Sequence, residues 1–196
     1  QLTDGIYDDI EPTYLPDGHI VFTTTRGNSY VRCGPFIYSY ILARCDADGG
    51  NVYLISYNGE PDFVPALLND GRIIYSRWEY SDKPLWRLQK LWTTNQDGTG
   101  TAHFWGNQSV WPDHLSEPRP IPNSRRVMFS GVGHHDWWSG SIGIVDPDQG
   151  RDYPHGLTKV TTDLRWPEVS APPEDRPEAA DYHAAGHFTG YKTAYP

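Results

Sequence analysis

A turn-and-strand pattern that recurs at a fixed interval constrains this chain more than any other feature. The turn Pro16-Asp17-Gly18 precedes a β-branched and aromatic run at residues 20–22, which is typical of a hairpin. The pattern returns at Gly71 and residues 73–75, which is 53 residues after Gly18 (71 − 18). A looser third copy occupies residues 118–130. A period of this length indicates a propeller, a solenoid or another array of repeated units.

Each repeat contains four predicted strands. The third strand ends at the turn Asp46-Ala47-Asp48-Gly49, which has counterparts in residues 91–100 and 141–150, and a short fourth strand follows each turn. Four-stranded units repeated around an axis are propeller blades. The sequence therefore predicts an all-β propeller with blade one at about residues 9–56, blade two at 62–106, blade three at 113–160 and the start of blade four at 163–196.

About three and a half blades cannot close a ring, because propellers have about four to eight blades. We therefore expect a fragment of a larger propeller, with further sequence covering its open edges. The net charge of −9 argues against a nucleic-acid partner, since such surfaces need clustered Lys and Arg. A mean hydropathy of −0.63 predicts no membrane-spanning segment.

Several residues recur at matching places in the predicted blades. Asp9, Asp62 and Asp113 stand at the starts of the three blades, and Gly18 and Gly71 complete the hairpin turns. A carboxylate before an inner strand accepts hydrogen bonds from nearby N–H groups, so we interpret all five as structural. One alternative is a propeller glycosidase, in which carboxylates from different blades act as general acid and base. A weaker alternative is that a ring of these carboxylates holds a cation.

The sharpest candidate for chemistry is the cluster His134-His135-Asp136. Imidazole and carboxylate ligands suit zinc, copper or iron, so the cluster is a candidate transition-metal site. Adjacent residues of a strand point to opposite sides, which limits how many can reach one ion. The competing interpretation is that the histidines bind loop backbone or pack against neighbouring tryptophans.

The two cysteines allow one disulfide. Cys33 and Cys45 can be joined in an oxidising compartment, provided that the loop at residues 27–36 folds back along the strand that leads to Cys45. Neither cysteine belongs to a Cys-x-x-Cys-His motif, so no covalently attached haem is predicted in this segment.

The repeat resembles a known family. Asp9, Pro12, Pro16-Asp17-Gly18 and the later Asp-x-Asp-Gly turn are similar to the repeat of TolB-type, WD40-like propellers. The longer phrases at residues 9–18 and 43–51, and His134-His135 with Asp146-Pro147, resemble the middle domain of the hydrazine synthase alpha subunit. The resemblance implies a propeller between other domains of a large periplasmic or extracellular protein.

These observations predict a non-catalytic scaffold and interaction domain, whose partners are the other domains of the parent chain and further proteins. One alternative is a metal-binding or redox-enzyme domain, with His134, His135 and Asp136 at the channel mouth and a multihaem oxidoreductase as parent. The resemblance places the haems of that family largely outside the propeller. A propeller glycosidase is the third possibility.

Overall fold

A computed structural model describes residues 1–32, 34–80, 89–134, 139–168, 177–182, 186 and 190–196. In this part of the chain the architecture is all-β, as predicted. No helix there has the length and apolar character needed to cross a bilayer.

The first unit is an antiparallel four-stranded sheet in the order β1-β2-β5-β6. Its central strands β2 and β5 are buried along their whole length, whereas β1 alternates between half-buried and exposed residues. Between β2 and β5 the chain forms a separate hairpin of β3 and β4. The bounds are β1 (Asp9–Tyr14), β2 (Ile20–Thr24), β3 (Tyr30–Val31), β4 (Gly34–Tyr38), β5 (Ile41–Cys45) and β6 (Tyr53–Leu54).

Two further four-stranded units follow, each with the same antiparallel order of consecutive strands. A parallel pair between His114 and Gln89 joins them into one eight-stranded sheet. The second unit contains β7 (Asp62–Leu67), β8 (Ile73–Trp78), β9 (Gln89–Thr94) and β10 (Ala102–Trp105). The third contains β11 (His114–Pro120), β12 (Val127–Val132), β13 (Ser141–Val145) and β14 (Leu157–Lys159). The number of blades in the complete propeller stays a prediction.

Apolar side chains fill the spaces between successive units. One buried cluster joins Leu42 and Ile55 of the first unit to Ile73 and Tyr75 of the second. A larger cluster joins the second unit to the third and includes the fully buried Trp105. Burying one large apolar side chain contributes about 1.5–3 kcal/mol to the free energy of unfolding. The apolar contacts between successive units are therefore a main source of stability.

The first strand of each unit, here called the inner strand (β1, β7 and β11), is interrupted at the same place. Glu11, Val64 and Glu117 have φ values of 57°, 47° and 51°, and the pairing register shifts around each of them. They are spaced 53 residues apart (64 − 11 and 117 − 64). A left-handed residue that shifts the register is a β-bulge, which bends the strand. The sequence repeat is therefore also a repeat of backbone conformation.

The register corrects one predicted equivalence. Asp9 pairs with Thr24 and Asp62 pairs with Arg77, but the matching residue of β11 is Leu115, which pairs with Gly131. Asp113 lies two residues earlier, before β11 begins. Backbone pairing fixes register, so the third unit has no carboxylate at the position that Asp9 and Asp62 share.

The end of the chain extends the series of inner strands. Tyr191 pairs with Gly140 through two backbone hydrogen bonds of 2.8 Å. The equivalent contact between the first two units runs from the Asp62 N–H to the Tyr40 carbonyl, at 2.8 Å. Thr193 has a φ of 53°, like the three bulge residues. Residues 191–196 therefore lie where the inner strand of a following unit belongs.

The start of that following unit at about residue 163 stays a prediction. Trp166 belongs to the short parallel pair β15 (Trp166–Pro167) and β16 (Ala179–Ala180). Its ring stacks on Phe129 of the third unit, with 5.9 Å between centroids. This segment therefore packs on the third unit, and among the described residues of this region the inner-strand pairing is seen at Tyr191.

We predict that Gly98→Ala destabilises the protein more than Gly18→Ala does. Both glycines are left-handed, with φ values of 85° and 88°, so each alanine costs about 1–2 kcal/mol of backbone strain. A Cβ at Gly18 meets open space, whereas at Gly98 it collides with the Ile55 carbonyl of the first unit. This collision adds about 1–3 kcal/mol. Urea denaturation measures both, and equal losses would contradict the packing of that turn against the first unit.

Candidate functional site

The inner strands line a half-open cavity of about 470 Å³. Its wall consists of residues 10–13 of β1, residues 63–65 of β7 and residues 116, 117 and 119 of β11, together with Tyr40 and Lys192. Most of these residues surround the three bulges. The cavity thus exists because the inner strands bend at equivalent positions.

The Glu11 side chain links the first inner strand to the second. Its Oε2 accepts a hydrogen bond from the Thr23 hydroxyl at 2.9 Å and another from the Val64 N–H at 2.8 Å. Thr23 lies on the neighbouring strand β2, and Val64 is the bulge residue of β7. One carboxylate therefore fixes its own bulge and holds the bulge of the next unit.

Glu117 repeats this arrangement at the other side of the cavity. Its Oε2 accepts from the Ser130 hydroxyl at 2.8 Å and from the Thr193 N–H at 2.6 Å, and its Oε1 accepts from the Thr193 hydroxyl at 2.9 Å. We call this contact, a bulge glutamate that accepts the bulge amide of the next inner strand, the bulge clasp. In the second unit the bulge residue is Val64, and the Ser76 hydroxyl instead donates directly to the Leu115 carbonyl.

The predicted structural aspartates form ion pairs within their own units. Arg26 donates to both carboxylate oxygens of Asp9, with an Nη2–Oδ2 distance of 2.6 Å. Arg77 binds Asp62 in the same two-point manner, at 2.8 and 3.0 Å. Two parallel bonds of this kind give an Arg–carboxylate pair both strength and fixed geometry.

The two aspartates differ in burial, and their pKa values shift in opposite directions. Complete burial raises the pKa of Asp62, although the hydrogen bonds from Arg77 act in the opposite direction. Burial acts in the same sense on Asp9, but there the hydrogen bonds from Arg26 and Thr24 outweigh it and lower the pKa. The same sequence position thus lies in two different environments.

Of the candidate metal cluster, only His134 lies within the described residues; His135 and Asp136 lie outside them. His134 is 1% exposed, and its Nδ1 lies 3.0 Å from Gln89 Nε2. Its N–H donates to Asp113 Oδ2 at 3.3 Å, and its ring lies 5.0 Å from that of Trp78. These contacts match the packing interpretation of His134. In the described part of the chain no three His, Cys, Asp or Glu side chains are grouped to hold a metal, and the three-residue site stays a prediction.

His114 is a second buried histidine in this region. It is 2% exposed, and its ring lies 5.8 Å from that of Phe63. Burial, with smaller contributions from His134 and Lys90, lowers the pKa of His114 to about 3. The folded protein therefore keeps this imidazole neutral over most of the acidic range.

The predicted disulfide also stays a prediction, because Cys33 lies outside the described residues. Cys45 is a buried residue of β5 and has no disulfide partner among the described residues. Burial raises the pKa of its thiol, and the adjacent Asp46 contributes in the same direction.

The fold that this geometry defines is of the TolB-like propeller class. The chain is similar to a putative TolB from Agrobacterium tumefaciens, with a TM-score of 0.55 and 13% identity over 78% of this chain and 48% of that chain. It is also similar to TolB from Acinetobacter baumannii, with a TM-score of 0.51 and 20% identity over 79% of this chain and 32% of that one.

A third similar structure is hydrazine synthase from Kuenenia stuttgartiensis. The TM-score is 0.63 and the identity 17%, over 81% of this chain and 25% of that chain. The resemblance to hydrazine synthase and TolB-like domains is thus confirmed at the level of the fold, and this chain spans a quarter to a half of the neighbours' lengths. No family model matches the chain, and no curated protein does.

Sequence reasoning missed four residues of the cavity wall, namely Glu11, Glu117, Arg119 and Lys192. A signal for the glutamates was present, because Glu117 lies two repeats of 53 residues after Glu11. The signal is difficult to recognise because the second repeat has Val64, and not a glutamate, at this position. Lys192 does not follow the 53-residue repeat. Its neighbour Thr193, which has a φ like that of the bulge residues, comes 76 residues after Glu117 (193 − 117).

We predict that Glu117→Ala lowers the free energy of unfolding by about 1.5–3 kcal/mol, because the acceptor of three hydrogen bonds is lost. The released residues 191–196 also become sensitive to trypsin, which cleaves after the exposed Lys192. The control is Asp148→Ala, which breaks an exposed pair with Arg125 and costs about 1 kcal/mol or less. Unchanged protease resistance in Glu117→Ala would contradict the clasp at Thr193.

We also predict that His114 makes stability fall with acidification below about pH 6.5, because the unfolded chain then binds a proton that the folded protein does not. The contribution is at most about 1.4 kcal/mol per pH unit and ends near the folded pKa of about 3. Urea titrations from pH 7 to 4 should show a shallower slope for His114→Gln. The exposed control His155→Gln should keep the wild-type slope, and the same slope in all three proteins would contradict the prediction.

Proposed function

We propose that this chain is a non-catalytic propeller domain of a larger extracytoplasmic protein, in which it acts as a scaffold and interaction domain without a cofactor of its own. The observation that supports this most is the internal bonding of its repeated carboxylates. Asp9 and Asp62 bind arginines, and Glu117 accepts three hydrogen bonds. A general acid or base must exchange a proton with its substrate, and these groups instead hold strands together.

The similar structures support the proposal that this domain is part of a longer protein, but they do not indicate a reaction. This chain corresponds to 25% of the hydrazine synthase chain, which favours one domain among several. An identity of 17% supports the fold alone, so the reaction named for that enzyme is not proposed here. The alternatives are a metal or redox site at His134, His135 and Asp136, and a propeller glycosidase.

The test is to measure transition-metal content, visible absorption and glycoside hydrolysis on the purified protein and on its full-length parent. We expect less than about 0.1 metal ion per chain in this domain, no haem absorption from it, and no turnover across a panel of glycosides. Cross-linking mass spectrometry of the parent should place contacts from other domains or proteins on this domain.

Two results would overturn the proposal. One is stoichiometric metal that is lost in His134→Ala or His135→Ala but kept in His155→Ala, since His155 is exposed and lies outside the cluster. The other is glycoside hydrolysis that disappears in Asp62→Asn while that variant keeps its folded circular dichroism spectrum.

A further inference from the structure

We propose that the cavity between the inner strands binds a monoanionic carboxylate that carries an apolar group, and that Arg119 and Lys192 recognise the carboxylate. This inference rests on the proposed role as an interaction domain and names a class of ligand for that role. The volume of about 470 Å³ falls within the range of about 300–1,000 Å³ that is usual for small-molecule sites.

The acidic groups of the cavity wall already accept hydrogen bonds from within the chain. Both oxygens of Glu117 accept hydrogen bonds from within the chain, and Glu11 Oε2 accepts two. These carboxylates are therefore largely used in the bulge clasps. The basic groups of the wall, Arg119 and Lys192, remain to interact with a ligand.

Arg119 lines the cavity and is held by an aromatic contact. Its guanidinium lies over the Tyr195 ring, 5.1 Å from the centroid, and its Nε is shielded from solvent without a hydrogen-bond partner in the described structure. A shielded donor without a partner is unfavourable. A carboxylate is the natural partner, because two parallel N–H groups of arginine match its two oxygens.

The backbone on both sides of Lys192 fixes its position. The neighbouring Thr193 is held by Glu117 through its N–H and its hydroxyl. Tyr191, on the other side, pairs with Gly140. Lys192 is exposed and lines the same cavity as Arg119, so the two basic side chains face a common space from a fixed backbone.

The charge and polarity of the wall define the ligand further. Two glutamates and two basic residues give the wall no net charge, and the whole chain carries −9. Coulomb repulsion therefore favours one negative charge over two. Ile10, Phe63 and Pro65 supply apolar surface beside the basic groups, which favours an apolar or aromatic body.

A carboxylate beside an apolar group can belong to a free arylalkyl carboxylate or to the C-terminus of a peptide. Isothermal titration with 4-phenylbutyrate represents the first, and N-acetyl-Leu-Phe with a free C-terminus represents the second. The matched neutral probes are 4-phenylbutyramide and the C-terminal amide of the dipeptide. Whichever carboxylate binds more tightly identifies the source, and either preference supports the site.

We expect each carboxylate to bind at least about tenfold more tightly than its amide, since a charge-assisted bond is lost. Arg119→Gln should weaken carboxylate binding about tenfold or more, and Lys192→Gln about threefold. Arg119→Lys keeps the charge and should retain part of the affinity. The exposed control Arg151→Gln, outside the cavity, should bind as wild type.

Equal binding of acids and amides would overturn the inference, as would wild-type affinity in Arg119→Gln with unchanged thermal unfolding. Absence of binding by both carboxylates at 10 mM, roughly the weakest affinity of interest, would also overturn it. That result would leave the proposed scaffold function standing, because metal content and turnover test the scaffold function separately.

Discussion

The bulge in each inner strand is the constraint on which the rest of the structure depends. Glu11, Val64 and Glu117 adopt left-handed backbone conformations at a constant spacing, although such conformations are uncommon for residues other than glycine. The carboxylates at two of these positions accept the bulge amide of the next inner strand. The strained backbone is thus held by bonds that also set the position of the neighbouring unit, and the bent strands leave a cavity between them.

This arrangement determines what the carboxylates do. A propeller with acidic residues at the start of successive inner strands invites a catalytic interpretation, yet Asp9 and Asp62 each bind an arginine at two points. In the proposed ligand site, the basic groups of the cavity wall recognise the ligand. Under the proposed carboxylate site, stability and binding are linked, because Glu117 both holds the last described segment and positions the adjacent Lys192.

The fold was predictable because hydrophobic strands and turn residues repeat with a clear period. The register was not, because backbone pairing and not the presence of an aspartate decides which residues are equivalent, so that Asp113 was placed two residues from the true position at Leu115. The inner-strand position of Tyr191 did not follow from the repeat, because the interval before it is longer than the others. The cavity was missed because Glu11, Arg119 and Lys192 are distant in sequence and meet only in the fold.

The most direct test of the bulge clasps is amide hydrogen exchange at Val64 and Thr193, measured by NMR in the wild type and in Glu11→Ala and Glu117→Ala. The account predicts that both amides are protected in the wild type. It also predicts that Glu11→Ala exposes only Val64 and that Glu117→Ala exposes only Thr193. Wild-type exchange of the Thr193 amide at the rate of an unstructured chain would contradict the account.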